Sequence, residues 1–461
     1  MPSPILPTTH SSPPSVFTRP LRSRAGRARF IPSIALAGAA VMALSACGGP
    51  GGGTATDDGT TVTITTSIGG EEGVALEASW ADWAKENDIT IRLNTDNGFE
   101  QRIQAQVQAN KTPDLAIFPQ PGLLTDLARK DALTPVPAPV AAALTQNFTK
   151  DWQQYGTVDG VAYGVPMLAS VKGFVWYSPT TFAERGWNVP TSWQGLLDLT
   201  AQIRADTSTA PWCAGFAAGA ASGWPGTDWI EDLVLRQSGP EVYDGWIDNS
   251  VPFSDPRIQS AFTEAGKILT NPEYVNAGFG GVSSINTVGY GDEIAAALKA
   301  ETCTLTRQGA FFDTFARTAG LTVGPEADLW AFQTPGFGTE GGGENAVTGG
   351  GDIVAAFNDR EATAKVLEYL ASPEWANARV KLGGVISPNT GLDPASATSP
   401  ILVESIAVLQ NPNITFRFDA SDLMPAAVGT SGFFTGVTNW IDGASIPDVT
   451  ARIDATWPDQ N

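Results

Sequence analysis

Histidine is nearly absent from this 461-residue chain; the single copy, His10, lies in the N-terminal segment. Without an imidazole further on, Ser-His-Asp and Cys-His nucleophilic catalysis are excluded from the body of the protein, as are histidine-built metal centres. Positive charge is scarce too, with 27 Lys and Arg against 48 Asp and Glu and a net charge of −21. A surface this acidic repels phosphate backbones and anionic headgroups, so neither nucleic acid nor a membrane plane is an expected partner. No stretch beyond residue 46 approaches 18 consecutive apolar residues, so no spanning helix is expected there. Cysteine is limited to Cys47, Cys213 and Cys303. No metal and no cofactor is implied by these residues.

Five arginines (Arg19, Arg22, Arg24, Arg27 and Arg29) precede an apolar run from Ile31 to Leu44 and the sequence Ala43-Leu-Ser-Ala-Cys47. A basic region, a short apolar region, small residues and a thiol have the form of a bacterial lipoprotein signal. The run is too short to cross a hydrocarbon core that needs about 20 residues. Residues 1–46 are therefore expected to be removed and Cys47 lipidated, anchoring the chain to the outer face of the cell membrane. The remaining chain has 22 bases against 48 acids, a net charge of −26. The Gly-rich residues 47–60 read as a flexible tether with a reach of roughly 20 Å. Outside the cytoplasm the two other cysteines, Cys213 and Cys303, more often pair than stay free, so one disulfide is expected; two buried thiols are the alternative.

The 400 or so residues that follow exceed what one core supports, which argues for two domains. Thr61–Thr66 alternates and is rich in β-branched residues, Ile89–Leu93 forms a second strand, and Leu115–Phe118 a third. Leu76, Trp80 and Trp83 recur at helical spacing, as do Phe99, Ile103 and Val107. Strand–helix alternation of this kind argues for an α/β layer with a mostly parallel sheet. Later helices start at Ser178-Pro179, Asp255-Pro256 and Ser372-Pro373, each a capping oxygen before a first-turn proline. Ile353–Phe357 is a further strand.

Several stretches resemble the extracellular solute-binding proteins of carbohydrate ABC transporters, the maltose-binding type. They are Tyr163-Gly-Val-Pro166 with Val175-Trp-Tyr177, Phe99-Glu-Gln-Arg102, Thr112-Pro-Asp-Leu115 and Ala371-Ser-Pro-Glu-Trp375. Pro211-Trp-Cys213 and Gly223-Trp-Pro-Gly-Thr-Asp-Trp229 are similar to the branch that binds α-glucosides. The resemblance covers most of residues 61–461 and implies a two-lobe periplasmic-binding-protein fold of type II-like α/β architecture. Each lobe would be a mainly parallel sheet flanked by helices. Crossings near 168–171, 331–335 and 384–388 would divide the chain into lobe I (61–168 and 335–384) and lobe II (171–331 and 388–461). The implied protein is a monomer that delivers an oligosaccharide to a membrane ABC permease.

A neutral sugar has a C–H face and hydroxyl edges, so binding it in water calls for aromatic planes, carboxylates and amides. Trp224 lies in a Gly- and Pro-flanked turn and is expected to stack on the sugar. Asp228 would accept from a hydroxyl or cap a helix. Phe433 and Phe434 match the family's late platform, with core packing as the alternative, whereas Trp80 and Trp83 read as packing. Phe312 is preferred to Phe311 as a further platform, and Arg307 would donate to a hydroxyl or pair with an acid. In open α/β sheets ligands bind past the carboxyl ends of the strands, which selects Glu71, Glu72, Asn97, Glu100 and Gln120. Lys172 at the first crossing would reach the cleft or bridge the lobes, and Asp352 follows a glycine run that permits close approach. Gly336-Phe-Gly-Thr-Glu-Gly341 spells a dinucleotide fingerprint without the strand and helix it requires, and reads as a loop. The rival to a sugar receptor is a secreted glycoside hydrolase acting on α-glucosides, which needs two carboxylates across the scissile bond. No local motif marks such a pair. A structural lipoprotein without a small ligand is the third possibility.

Overall fold

Alternation in Thr61–Thr66 places Val62 and Ile64 on one fully buried face, and this segment forms the first strand. The computed structural model describes residues 59–338, 343, 345–411 and 413–458. The expected signal peptide and the lipidation site Cys47 lie outside the described residues, as does nearly all of the tether. In chain order the strands are β1 (Thr61–Thr66), β2 (Thr90–Thr95), β3 (Leu115–Phe118), β4 (Thr157–Val158), β5 (Val161–Ala162) and β6 (Gly164–Val171). There follow β7 (Phe174–Tyr177), β8 (Ala210–Trp212), β9 (Cys303–Gln308), β10 (Trp330–Gln333), β11 (Ala346–Ala356) and β12 (Thr415–Phe418).

Two larger sheets organise the described residues, beside a two-stranded one of β4 and β5. The first runs β12-β11-β3-β1-β2, with β6 also on β11; the second runs β10-β7-β9-β8. In the first sheet β1 is parallel to β2 and β3, and β11 to β12, but β11 runs antiparallel to β3 and β6. In the second only β8 and β9 are parallel. The expected mainly parallel sheets are thus replaced by mixed ones. The chain enters the second sheet along β7 and leaves along its neighbour β10. Two adjacent strands that come and go through one gateway must run in opposite directions.

Each sheet buries apolar side chains on helices started as the sequence indicates. Ser178 accepts from Thr181 N, Asp255 from Arg257 N and Ser372 from Trp375 N. Period-two alternation along β7 divides the interior. Phe174 and Trp176 join the core that fills the first sheet, while Val175 and Tyr177 join the one built on Phe262, Trp246 and Phe433. The expected disulfide between Cys213 and Cys303 is present, with a Cα–Cα distance of 5.7 Å, and it joins the end of β8 to the start of β9.

The chain changes sheets first at Lys172–Gly173, between β6 and β7, and again between β10 and β11. The third change comes at Asp419, where β12 ends and a helix, Ala420–Leu423, carries Ala420 into the second core. It was expected near 384–388, but Ile386 bridges Ala169 of β6 there. The segment 388–418, expected in lobe II, supplies Ile401, Leu402 and Ile406 to the first core and β12 to the first sheet.

Candidate functional site

The carboxyl ends of β1, β2 and β3 supply one group of polar side chains. Glu71 and Glu72 open the helix Gly70–Glu86, where negative charge near the N-terminus is favourable. Glu71 is exposed, while Glu72 faces Arg379, with Arg379 Nη2 at 3.8 Å from its Oε1. The Glu72 side chain keeps 46% of its surface open within a crowded recess. That crowding raises its pKa against the pull of Arg379. Asp352 on β11 belongs to the same group. Burial first, and then the Glu72 charge, push its carboxyl up to about 7. Arg379 is buried; its Nη1 donates to Gly383 O, and its Nε has no hydrogen-bond partner among the described residues. Past β2, Asn97 is exposed beside Asp96, whose Oδ1 accepts from Gly98 N at 2.8 Å. Gln120, past β3, is buried and donates from Nε2 to Glu100 Oε1 at 3.1 Å.

Aromatic side chains come from the other side of the crossings. Trp224 is the first residue of the helix Trp224–Ile247 and is half-buried. Its position depends on Gly223, which has φ +112 and whose missing Cβ would strike Phe434 O. The Trp224 ring meets Tyr290 edge-on at 4.8 Å and Phe311 at 5.9 Å, both also half-buried. Burial and the Glu72 charge together raise the Tyr290 pKa, which puts the acidic and aromatic groups in one electrostatic environment.

Charged side chains fill the space between the crossings. Lys172 Nζ lies 2.9 Å from Asp228 Oδ1 and 2.6 Å from Asp419 Oδ2, and 4.9 Å from the centre of the Trp224 ring. Burial works against the Lys172 charge, but Asp228 and Asp419 more than offset it and raise its pKa. Gly350 makes this possible, since a Cβ there would lie 2.8 Å from Asp419 Oδ2. Behind the pair, Asp232 takes Arg236 Nε and Arg307 Nη2, both at 3.0 Å. Burial alone would raise the Asp232 pKa; the two guanidiniums bring it below the ordinary value. Arg307 Nε also donates to Thr334 Oγ1 and Arg236 Nη2 to Gln333 Oε1, so the second crossing is bonded to the same network.

Glu72, Asp352, Trp224, Lys172 and Asp228 therefore converge, and Glu100 with Gln120 adjoins them through Asp422, whose carboxyl feels the Glu100 charge. Other predicted residues are placed elsewhere. Phe312 is fully buried, packed edge-on against Trp176 at 5.3 Å, and the accessible ring is its neighbour Phe311. Phe433 is fully buried among Trp246, Phe253 and Phe262, and Phe434 is 4% exposed. Neither ring has a face to offer a sugar; the core alternative applies. Arg307 pairs with an acid, and Lys172 pairs with Asp228 and Asp419. Asp228 is one turn inside its helix, where it binds Lys172 and not the helix end. Trp80 packs in the core, and Trp83 stacks on Tyr369 at 4.2 Å.

Tyr290, Arg379 and Asp419 were not singled out from sequence, and Phe311 was named only as the lesser alternative to Phe312. Tyr290 stands between Gly289 and Gly291, a legible turn signal, whereas Asp419 ends a Thr-Phe-Arg-Phe segment too short for its alternation to carry weight. Arg379 looks like any helical arginine. A separate recess of 530 Å³ beside Trp330, Pro400 and Glu404 shares no residue with this cluster.

Comparison with known proteins agrees with this arrangement. Residues 69–377 match the family described as bacterial extracellular solute-binding protein. The osmoprotective compounds-binding protein GgtB of Synechocystis is 34% identical over 421 residues, 91% of this chain and 97% of that protein. The alpha-glucosides-binding periplasmic protein AglE of Rhizobium meliloti is 32% identical over 407 residues, 87% of each. Among solved structures, the bacterial solute receptor AcbH superposes with a TM-score of 0.72 at 18% identity, over 86% of this chain and 97% of that one.

Proposed function

The chain belongs to the bacterial extracellular solute-binding proteins of the carbohydrate ABC type, and on that premise we propose that it captures an α-glucoside or a related small glycoside and hands it to a membrane permease. As a solute receptor outside the cytoplasm it performs no chemistry on what it binds. The observation that carries the sugar reading is the meeting of half-buried Trp224, Tyr290 and Phe311 with Glu72, Asp352 and Arg379. Aromatic edges and faces take the C–H surface of a pyranose, and a carboxylate–guanidinium pair takes its hydroxyls. The name of AglE, an alpha-glucosides-binding protein, supports the α-glucoside class, and that of GgtB a small solute.

In this reading Glu72, Asp352 and Trp224 touch the sugar, Glu100 and Gln120 line the far end, and Glu71 and Asn97 stay at the rim. The lobes are 61–171 with 346–418, and 174–333 with 420–458. Closure is favoured because the sugar contacts both lobes only when they are shut. Cys47 carries the lipid that holds the receptor at the membrane. A micromolar affinity requires about 8 kcal/mol, within reach of two or three ring contacts and several hydrogen bonds. Calorimetric titration with maltose, trehalose, sucrose and glucosylglycerol should give saturable binding to at least one, with the sugar recovered intact. Flat titrations across the panel would discard the reading, as would release of glucose.

A further inference from the structure

Asp228, Glu231 and Asp419 bring carboxylate oxygens within 4.8 Å of one another, and all three residues are buried. One ammonium, that of Lys172, is shared between Asp228 and Asp419. Glu231 Oε1 accepts from Ser421 N at 2.9 Å, while Glu231 Oε2 and Asp419 Oδ1 have no hydrogen-bond partner among the described residues. Three negative charges at this spacing in a dry interior cannot all persist beside one positive charge.

The groups around the cluster do not repair the imbalance. On the helix Trp224–Ile247, Asp232 and Arg236 are committed to each other, and Tyr243 stays neutral because burial and the Glu231 and Asp419 charges raise its pKa. Arg307 of β9 is committed to Asp232. The helix Ala420–Leu423 adds another acid, Asp422; the loop after β2 adds Glu100 beyond it, and β11 adds Asp352. Burial, and next the Asp228 charge, push the Glu231 carboxyl up to about 8, and burial raises Asp419 as well.

We propose that the junction of the crossings is a proton site, in which Glu231 and Asp419 share with Asp228 and Lys172 a proton that halves the net negative charge of the cluster and links lobe closure to pH. Asp419 leaves the first sheet, Asp228 and Glu231 ride on a helix of the second core, and Lys172 lies between the sheets. A change in the angle between the sheets therefore changes the spacing of these charges. Closing brings these charges nearer to one another, which favours the protonated form, so sugar binding takes up a proton and weakens as pH rises. A metal cation is the rival occupant, but the Lys172 ammonium already contacts two of the three acids. The link to binding rests on the sugar reading above; the proton site does not.

Carbon-13 NMR of protein labelled at the glutamate carboxyl tests the site directly. One glutamate resonance should titrate near about 8 and vanish in Glu231→Gln; titration of every glutamate below pH 6 would overturn the proposal. Thermal unfolding between pH 5 and 9 adds a readout without ligand. An acid whose pKa is raised in the folded state binds more protons there, so its contribution to stability falls as pH rises from the unfolded value towards the folded one. The melting temperature should fall less steeply in Glu231→Gln, or in Asp419→Asn, than in the unaltered protein. Equal slopes, or a melting temperature that answers to added calcium and not to pH, would refute it. For the coupling, maltose or trehalose affinity should fall by up to about tenfold per pH unit above pH 8. Binding with no pH dependence would remove the link to closure, whereas no binding at all would count against the sugar reading and leave the site standing on the first two measurements.

Discussion

Trp224 and Lys172 divide the work at the residue scale. The indole is held at its edges by Tyr290 and Phe311 and has the Lys172 ammonium over its ring. Truncating it removes the largest apolar surface of the proposed site, and Trp224→Ala is expected to weaken disaccharide binding at least tenfold by calorimetry. Unchanged affinity would place the sugar elsewhere. Lys172 is mostly buried, and Lys172→Met would leave Asp228 and Asp419 as uncompensated charges in the interior. Urea unfolding should show a loss of about 3–5 kcal/mol at neutral pH. The loss should shrink as pH falls and those acids take up protons, the sign expected of carboxyls whose burial raises their pKa. Residue types were legible from the sequence here, but geometry was not. Composition could say that acids and rings were plentiful; only folding decides that Phe433 is walled in by Trp246 and Phe253 while Phe311 keeps an open side.

Secondary-structure elements were legible where local chemistry sets them. Thr61–Thr66 alternates, Ser178, Asp255 and Ser372 precede prolines, and each became the strand or helix start that its pattern dictates. Strand direction was not local. β6 and β7 lie next to each other in sequence yet in different sheets, and the antiparallel pairing of β7 with β10 depends on a return some 150 residues later. The short β12 escaped notice because four residues give period two little weight. Two element-level outcomes are measurable. The disulfide closes a sequence separation of 90 residues, and replacing both cysteines by serine should cost about 4 kcal/mol in oxidising buffer. Gly350→Ala should cost about 1–3 kcal/mol by overpacking, since its methyl would displace Asp419 Oδ2 from Lys172. A stability unchanged from that of the unaltered protein would show that the two side chains have room the structure does not suggest.

At the scale of the whole molecule, the family was readable from short stretches spread over most of residues 61–461, and residues 69–377 match it. The course of the chain between the two sheets was less so, since a single strand, β11, pairs with β3, β6 and β12 and ties early and late segments into one sheet. If a bound glycoside closes the lobes, small-angle scattering should record a smaller radius of gyration with the binding sugar than without it. Identical profiles in the presence of saturating ligand would mean a receptor that is shut before it binds.

One backbone bond closes the gateway between the sheets. Thr334 N donates to Gly173 O at 2.7 Å, and the Thr334 hydroxyl donates to the same carbonyl at 2.8 Å. The long excursion through the second sheet thus departs and rejoins at a single rivet, its two ends unable to slide past each other. Motion of that half is expected to be a swivel about this point and about the return of the chain at Asp419. Spin labels placed far from it should separate widely between free and loaded receptor, while a pair flanking it should hold their spacing.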